Sequence, residues 1–354
     1  MLAPSLRDEL DLSLTQVGVL LAAPWVGPVA TLLAWGLLAD RVGERRVLAG
    51  GLALCGVLVL TAATMPPFLV LCVLLAAAGA AGASVNAASG RAVMGWFGPE
   101  ERGLALGIRQ ASTPLGTGFA ALVLPALDAA GGPSAAFTFL GCGVLAGALA
   151  GWLVLRDVPG ESGAARAGEV LRDERIWRIG AAGGFYLVAQ LAVTAFLVLF
   201  LHDVRGVGIA AAGAVLASVQ VLSVAARIVV GRWSDLARSR LMPLRRLGVG
   251  SAVLLAASAA LLDAPLEVLL PVFVLAGCAS SSWNGLSFAA AAEVAGRARS
   301  GAAIGLQQTV LSVTGVALPP AVAAGVSAVS WEAAFGLAAL FPLVGIWLLR
   351  PLDV

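Results

Sequence analysis

GLLADRVGERRVL, Gly36 to Leu48, sets Asp40, Arg41, Glu44, Arg45 and Arg46 between two long apolar runs. Most of the chain avoids charge. Of its 354 residues 12% are charged and 60% hydrophobic. A soluble domain carries about 25% charged residues, so most of this chain has lipid as its solvent. The charged stretch is then a short turn between two membrane-crossing segments. It divides the sequence on either side into spans.

A helix needs about 20 apolar residues to cross a bilayer, and only helices or closed barrels satisfy their backbone groups there. The apolar runs are long and do not alternate, so they read as helices. Spans are predicted near 14–38, 47–65, 68–95, 103–127, 135–155, 179–201, 209–230, 247–262, 266–294, 301–325 and 334–349. That is an all-α integral membrane fold with eleven crossings.

Net charge is +2, which gives no reason to expect nucleic acid. All 22 basic residues are arginine. They concentrate in the loops at 39–46, 96–102, 156–178, 231–246 and 295–300 and in the C-terminal tail, while the alternate loops hold only Arg7 and Arg205. The positive-inside rule makes the arginine-rich side cytoplasmic. The C-terminus then lies inside and Met1 outside. Cys55, Cys72, Cys142 and Cys278 all lie in apolar runs and the sole histidine is His202. Neither a disulfide framework nor a metal site is expected, and no cofactor.

The segment 156–178 holds ten charges, five of each sign, and reads as a cytoplasmic linker between an N-terminal half, 1–155, and a C-terminal half, 179–354. The halves repeat. GLLAD at 36–40 answers GRWSD at 231–235, RGLALGIRQ at 102–110 answers SGAAIGLQQ at 300–308, and Asn86 answers Asn284. Order and direction are kept, so the repeat is parallel, an arrangement used by transporters. Five spans precede the linker and six follow it. The repeat therefore predicts a further helix before residue 5, the alternative being a protein built with eleven.

The opening stretch closely resembles the loop motif G-x-L-x-D-R-x-G-x-R-R of the major facilitator superfamily. The match falls on Gly36, Leu38, Asp40, Arg41, Gly43, Arg45 and Arg46. A degenerate copy stands at Gly231, Arg232, Asp235, Arg238 and Arg240, and residues 90–116 look like the helix 4 to helix 5 region. The resemblance implies twelve helices in the family pattern, with helices 2–6 in the N-terminal half and 7–12 in the C-terminal half. It also implies a conformational latch. Gly36 and Gly231 would let a second backbone approach, and Gly43 would allow the tight turn. Asp40 would sit against the positive end of a helix near Gly301, and Asp235 against one near Gly103. In the family this contact stabilises the outward-open state. Arg41, Arg45 and Arg46 would pair with acids or lipid phosphates. The alternative is a plain basic loop, which requires neither the aspartate nor the glycines.

Polar residues inside lipid-spanning helices are candidate solute contacts. Arg109, about six residues into its helix, is the foremost; the alternative for it is snorkelling to the interface. Arg91 and Arg227 lie nearer helix ends and are candidate gate residues. Asn86, Gln110, Tyr186, Gln190, Gln220, Asn284, Gln307 and Gln308 are deep enough to bond a solute or to tie helices together. Trp25 and Trp283 are candidate stacking residues. No acid lies at mid-membrane, Glu293 at a helix end being the nearest case, so a deep arginine favours an anionic solute.

The substrate class is otherwise open. LLAAAGAAGA, 74–83, has Leu75 where the family's drug antiporters carry an arginine, and STPLGTGFA, 112–120, matches the nitrate porters poorly. No HExxH, Ser-His-Asp set, Cys-His pair or P-loop is present, which argues against an enzyme. The expected protein is thus a monomeric secondary transporter in a bacterial plasma membrane, partnered by a small solute and the lipid bilayer. The alternatives are a sensor or inactive remnant on the same fold, and an efflux pump.

Overall fold

A computed structural model describes residues 2–156, 167–328 and 331–352. Its helices are α1 Ala3–Glu9, α2 Leu14–Val42, α3 Glu44–Ala62, α4 Phe68–Gly82, α5 Ser84–Trp96, α6 Arg102–Val154, α7 Ala167–Arg172, α8 Glu174–Asp203, α9 Ile209–Leu236, α10 Leu241–Ala260, α11 Leu266–Ser281, α12 Asn284–Ala295, α13 Ser300–Ala328 and α14 Trp331–Leu349. A 3-10 turn, Arg297–Arg299, leads into α13. Local sequence explains the entry to α2. The Ser13 side chain accepts from the Gln16 amide while the Gln16 side chain accepts from the Ser13 amide, a capping box.

Nine stretches among the described residues are long and apolar enough to cross a membrane. One of them, α6, is two helices joined at Gly131 and Gly132, whose backbone angles are not helical. With α13 of 29 residues, each of the eleven predicted spans has its helix. The fold is an all-helical, multi-pass membrane bundle.

Two predicted spans are not single helices. The run 68–95 breaks at Ala83 between α4 and α5, and the run 266–294 breaks at Ser282 and Trp283 between α11 and α12. The breaks lie at corresponding places in the repeat, just before Asn86 and Asn284. Hydropathy reads the same over a straight or an interrupted helix and carries no sign of them. Discontinuous helices in membrane proteins occur where backbone is shielded by protein or lines a cavity. Of the linker, residues 157–166 lie outside the described residues; α7 and the start of α8 form its remainder.

The chain packs as two compact units. One comprises Met1–Trp96, Leu115–Arg172 and Ala295–Ser312, the other Phe97–Pro114, Asp173–Val294 and Val313–Val354. The first turns of α13 therefore pack with N-terminal helices, and the first turns of α6 with C-terminal ones. In the first unit Leu6 and Leu12 anchor the N-terminal segment against Leu20, Leu71 and Phe137. In the second, Phe200, Phe273 and Phe335 meet with ring centroids 5.2–5.9 Å apart. Large apolar side chains such as Leu69, Leu122 and Trp347 remain exposed, as a surface solvated by lipid requires.

Candidate functional site

The opening stretch ends α2 and starts α3 with a single turn residue, Gly43, at φ 93°. That angle lies in the region L-residues rarely adopt. It turns the chain back so that Asp40 on α2 and Glu44 on α3 are both buried, each 1% exposed. Asp40 receives two amides from the first turn of α13: Gly301 N–H donates to Oδ1 at 3.0 Å and Ala302 N–H to Oδ2 at 2.8 Å. Helix N-termini leave such donors unpaired and carry partial positive charge. One carboxylate therefore satisfies two of them.

Close packing makes this possible. A Cβ on Gly36 would overlap the Gly301 carbonyl, and one on Gly305 would lie 2.5 Å from the Leu32 carbonyl oxygen. Arg91 of α5, expected as a gate residue, completes the cluster. Its Nε donates to Asp40 Oδ1 at 3.1 Å and its Nη1 to Glu44 Oε2. The motif's own arginines take other places. Arg41 and Arg46 are exposed, while Arg45 donates to the Trp152 carbonyl at 2.7 Å and lies 4.2 Å over the Trp152 ring.

The second unit carries the repeat of this arrangement, shifted by 195 residues on one helix and 198 on the other. Asp235 Oδ1 accepts from Gly103 N–H at 2.9 Å and Oδ2 from Leu104 N–H at 2.8 Å. Gly231 meets the Gly103 carbonyl, and a Cβ on Gly107 would lie 2.6 Å from the Arg227 carbonyl oxygen.

The supporting charges exchange places. In the first unit the arginine, Arg91, is on α5 and the second acid, Glu44, opens α3. In the second unit the arginine, Arg240, precedes α10 and the second acid, Glu293, is on α12, with Arg240 2.5 Å from Asp235 and 3.0 Å from Glu293. Burial works against the charge of Arg240, but the hydrogen bonds and charges of Glu293 and then Asp235 outweigh it and raise its pKa. Arg240 also donates to the Pro99 carbonyl, and the group borders a cavity of about 330 Å³.

The turn differs too. Arg238 stands where Gly43 stands in the first copy and holds φ 47°. A left-handed L-residue costs roughly 1–2 kcal/mol. Arg238→Gly is therefore expected to stabilise the protein by up to about 1 kcal/mol after glycine's own entropy cost. A thermal melt of the detergent-solubilised variant checks this, and a lower Tm would contradict the assigned backbone.

The other predicted residues fall in both units. In the second unit Arg227 is 7% exposed. Its Nε donates to the Ser281 carbonyl at 2.9 Å and its Nη1 to the Gln110 carbonyl at 2.8 Å. Arg109 Nη1 donates to Gln110 Oε1 at 2.8 Å, so both guanidiniums converge on one residue. Trp283 donates to Gln190 Oε1 at 3.2 Å and its ring stacks 6.0 Å from Tyr186, whose hydroxyl donates to the Leu244 carbonyl. Ser281 Oγ and Asn284 Oδ1, beside the α11–α12 break, are buried with no hydrogen-bond partner among the described residues. Gln220 is half-buried on α9. In the first unit Asn86 and Gln308 are half-buried and Gln307 is fully buried. Trp25 is 69% exposed.

Sequence reasoning did not find the pairing of Arg91 with Glu44 or of Arg240 with Glu293. A buried arginine near the end of a mainly apolar helix is the signal that something acidic must face it, but sequence names no partner.

Comparison with known proteins agrees with this architecture. The sequence profile described as Major Facilitator Superfamily matches residues 1–319. An uncharacterized MFS-type transporter of Mycobacterium tuberculosis (strain CDC 1551 / Oshkosh) is 34% identical over 350 residues, covering 98% of this chain and 78% of that protein. The counterpart from strain ATCC 25618 / H37Rv is 33% identical over the same shares. Among solved structures, the transporter FucP in the outward conformation superposes with a TM-score of 0.79 at 18% identity, covering 99% of this chain and 92% of that one. The proton:xylose symporter XylE gives 0.80 at 13%, with 99% and 90% covered. The human organic anion transporter MFSD10 (TETRAN) gives 0.74 at 17%, with 98% and 88% covered. At these identities the structures speak for the fold. The sequence profile across most of the chain, the mycobacterial relatives and the repeated aspartate–helix contacts together place this chain in the Major Facilitator Superfamily.

Proposed function

We propose that the protein is a secondary transporter that moves a small anionic solute across a bacterial plasma membrane by alternating access, with its arginine-rich side and C-terminus in the cytoplasm. Both aspartates and their glycines are retained, which supports a working transporter over a sensor or inactive remnant. In the cycle the first turns of α13 and α6 would part from Asp40 and Asp235 and re-engage them.

The observation that carries the anionic assignment is the asymmetry of the repeat. Arg227 stands where the first unit has Leu32, a residue 1% exposed. Arg109 likewise stands where the first unit has Gln307. The same helix packing is thus built elsewhere in this chain without a positive charge, so the charge is not needed for packing. Arg227 is anchored by backbone carbonyls and takes no part in the ion pairs formed among the described residues. Two guanidiniums meeting at Gln110 repel in a low dielectric, and an anion bound there would relieve them. The Ser281 hydroxyl, unpaired among the described residues, supplies a further donor, and Asn284 is a further candidate contact. Asn86, Tyr186, Gln190, Gln220, Trp283, Gln307 and Gln308 are the remaining candidate contacts.

The test is flux into proteoliposomes with a panel of inorganic and small organic anions and neutral sugars. Saturable uptake of an anion is expected. Arg227→Leu, which copies the sister position, should keep the Tm within a few degrees and lower that uptake at least tenfold. Uptake confined to neutral sugars, or an Arg227→Leu protein with unchanged anion transport, would defeat the reading.

A further inference from the structure

Beside the loop motif, α3 and the second part of α6 leave an open trough of about 430 Å³. Its α3 wall is Arg46, Ala49, Gly50 and Ala53, and its α6 wall is Leu145, Ala148, Leu149 and Trp152. Both sets follow the i, i+3, i+4, i+7 spacing of a single helix face. Ala and Gly on one side and Leu and Trp on the other make the depression, since a small-residue face cannot fill the space opposite a large one. Gly50 has nothing within 4 Å of where a Cβ would stand. The trough closes one turn further along, where Gly56 packs on Leu145 and Gly141 on Leu60. From Arg46 to Ala53 is about 10 Å at 1.5 Å per residue, less than half of a hydrocarbon core of about 30 Å.

The two ends of this trough differ in chemistry. Its floor and walls are apolar. Arg46 stands at its mouth, exposed, at the water-facing end of α3 and on the arginine-rich side of the chain. Beside it Arg45 lies over Trp152 and holds that residue's carbonyl, so the Trp152 wall is fixed by a neighbour. An occupant must therefore be amphipathic, with a negative head at Arg46 and hydrocarbon below.

We propose that this trough binds an anionic phospholipid of the arginine-side leaflet. Its phosphate pairs with Arg46, and the first half of one acyl chain lies on Ala49, Gly50 and Ala53. A neutral zwitterionic lipid fills the same trough with weaker retention, because its head carries a cation of its own toward Arg46.

Native mass spectrometry of the full chain in detergent, titrated with phosphatidylglycerol or phosphatidylcholine, tests this. The wild type should retain phosphatidylglycerol at least threefold better. Arg46→Gln should abolish that preference, and Gly50→Trp, which fills the trough, should lower retention of both lipids. Gly143→Trp, another α6 position with open space around it, should behave as wild type and so controls for a general effect of added bulk. Equal retention of the two lipids by the wild type would overturn the proposal. So would Gly50→Trp retaining lipid as the wild type does. Displacement of phosphatidylglycerol by millimolar inorganic phosphate would also overturn it, since Arg46 would then be reading free anion and the trough would play no part.

Discussion

Asp40→Ala is expected to open the contact between α2 and α13 and to lower the stability of the arrangement described here by about 3–5 kcal/mol, the cost of stranding one member of a buried ion pair. The carboxylate holds two helix-terminal amides and one guanidinium at once. Its removal leaves Arg91 with Glu44 as its remaining acid and leaves the amides of Gly301 and Ala302 without their acceptor. Asp40→Asn should cost less, because one acceptor oxygen remains. Asp235→Ala should act alike on Gly103, Leu104 and Arg240, whose remaining acid would be Glu293.

The readout is labelling of a single cysteine, Ser300→Cys, in a background with the four native cysteines replaced. Ser300 is fully buried at the start of α13. Since 1.4 kcal/mol is tenfold in population, Asp40→Ala should raise the labelling rate by at least about a hundredfold if opening limits it. An unchanged rate, with the protein folded, would mean that the aspartate is not what holds α13 in place.

Glycine substitutions should divide into two groups, and the division is the second large effect. Gly36→Val and Gly231→Val each drive a side chain into the backbone of the adjacent helix, at Gly301 and at Gly103 respectively. Overpacking of this kind costs about 1–3 kcal/mol and more where backbone must move. Here the shift would also pull the helix N-terminus off its aspartate, so a loss at or above the upper figure is expected. Gly250→Ala and Gly143→Ala face open space in helices and should gain about 0.5–1 kcal/mol, the propensity difference between the two residues. Thermal melts of the four variants in one detergent decide it. Equal Tm changes in both groups would show that the close backbone approach is absent.

The sequence by itself determined the parts of this protein that depend on local chemistry. A run of apolar residues long enough for a bilayer is helical wherever it sits, so the spans were legible. The repeat was legible because GLLAD and GRWSD, and RGLALGIRQ and SGAAIGLQQ, keep their order. Gly36, Asp40 and Gly43 pointed to a tight turn and an anion against a helix end through their resemblance to the superfamily's loop motif.

The tertiary structure decided what depends on partners distant in sequence. Arg91 lies 51 residues from Asp40 and Gly301 lies 261, separations at which no periodicity carries information. The exchange of charge positions between Glu44–Arg91 and Arg240–Glu293 was invisible because either polarity satisfies the same desolvation requirement. The breaks at Ala83 and at Ser282 and Trp283 escaped for another reason: hydropathy measures the side chains and is blind to whether the backbone through them is continuous. The convergence of Arg109 and Arg227 on Gln110 likewise required α6 and α9 to be placed in space before two separate arginines became one site.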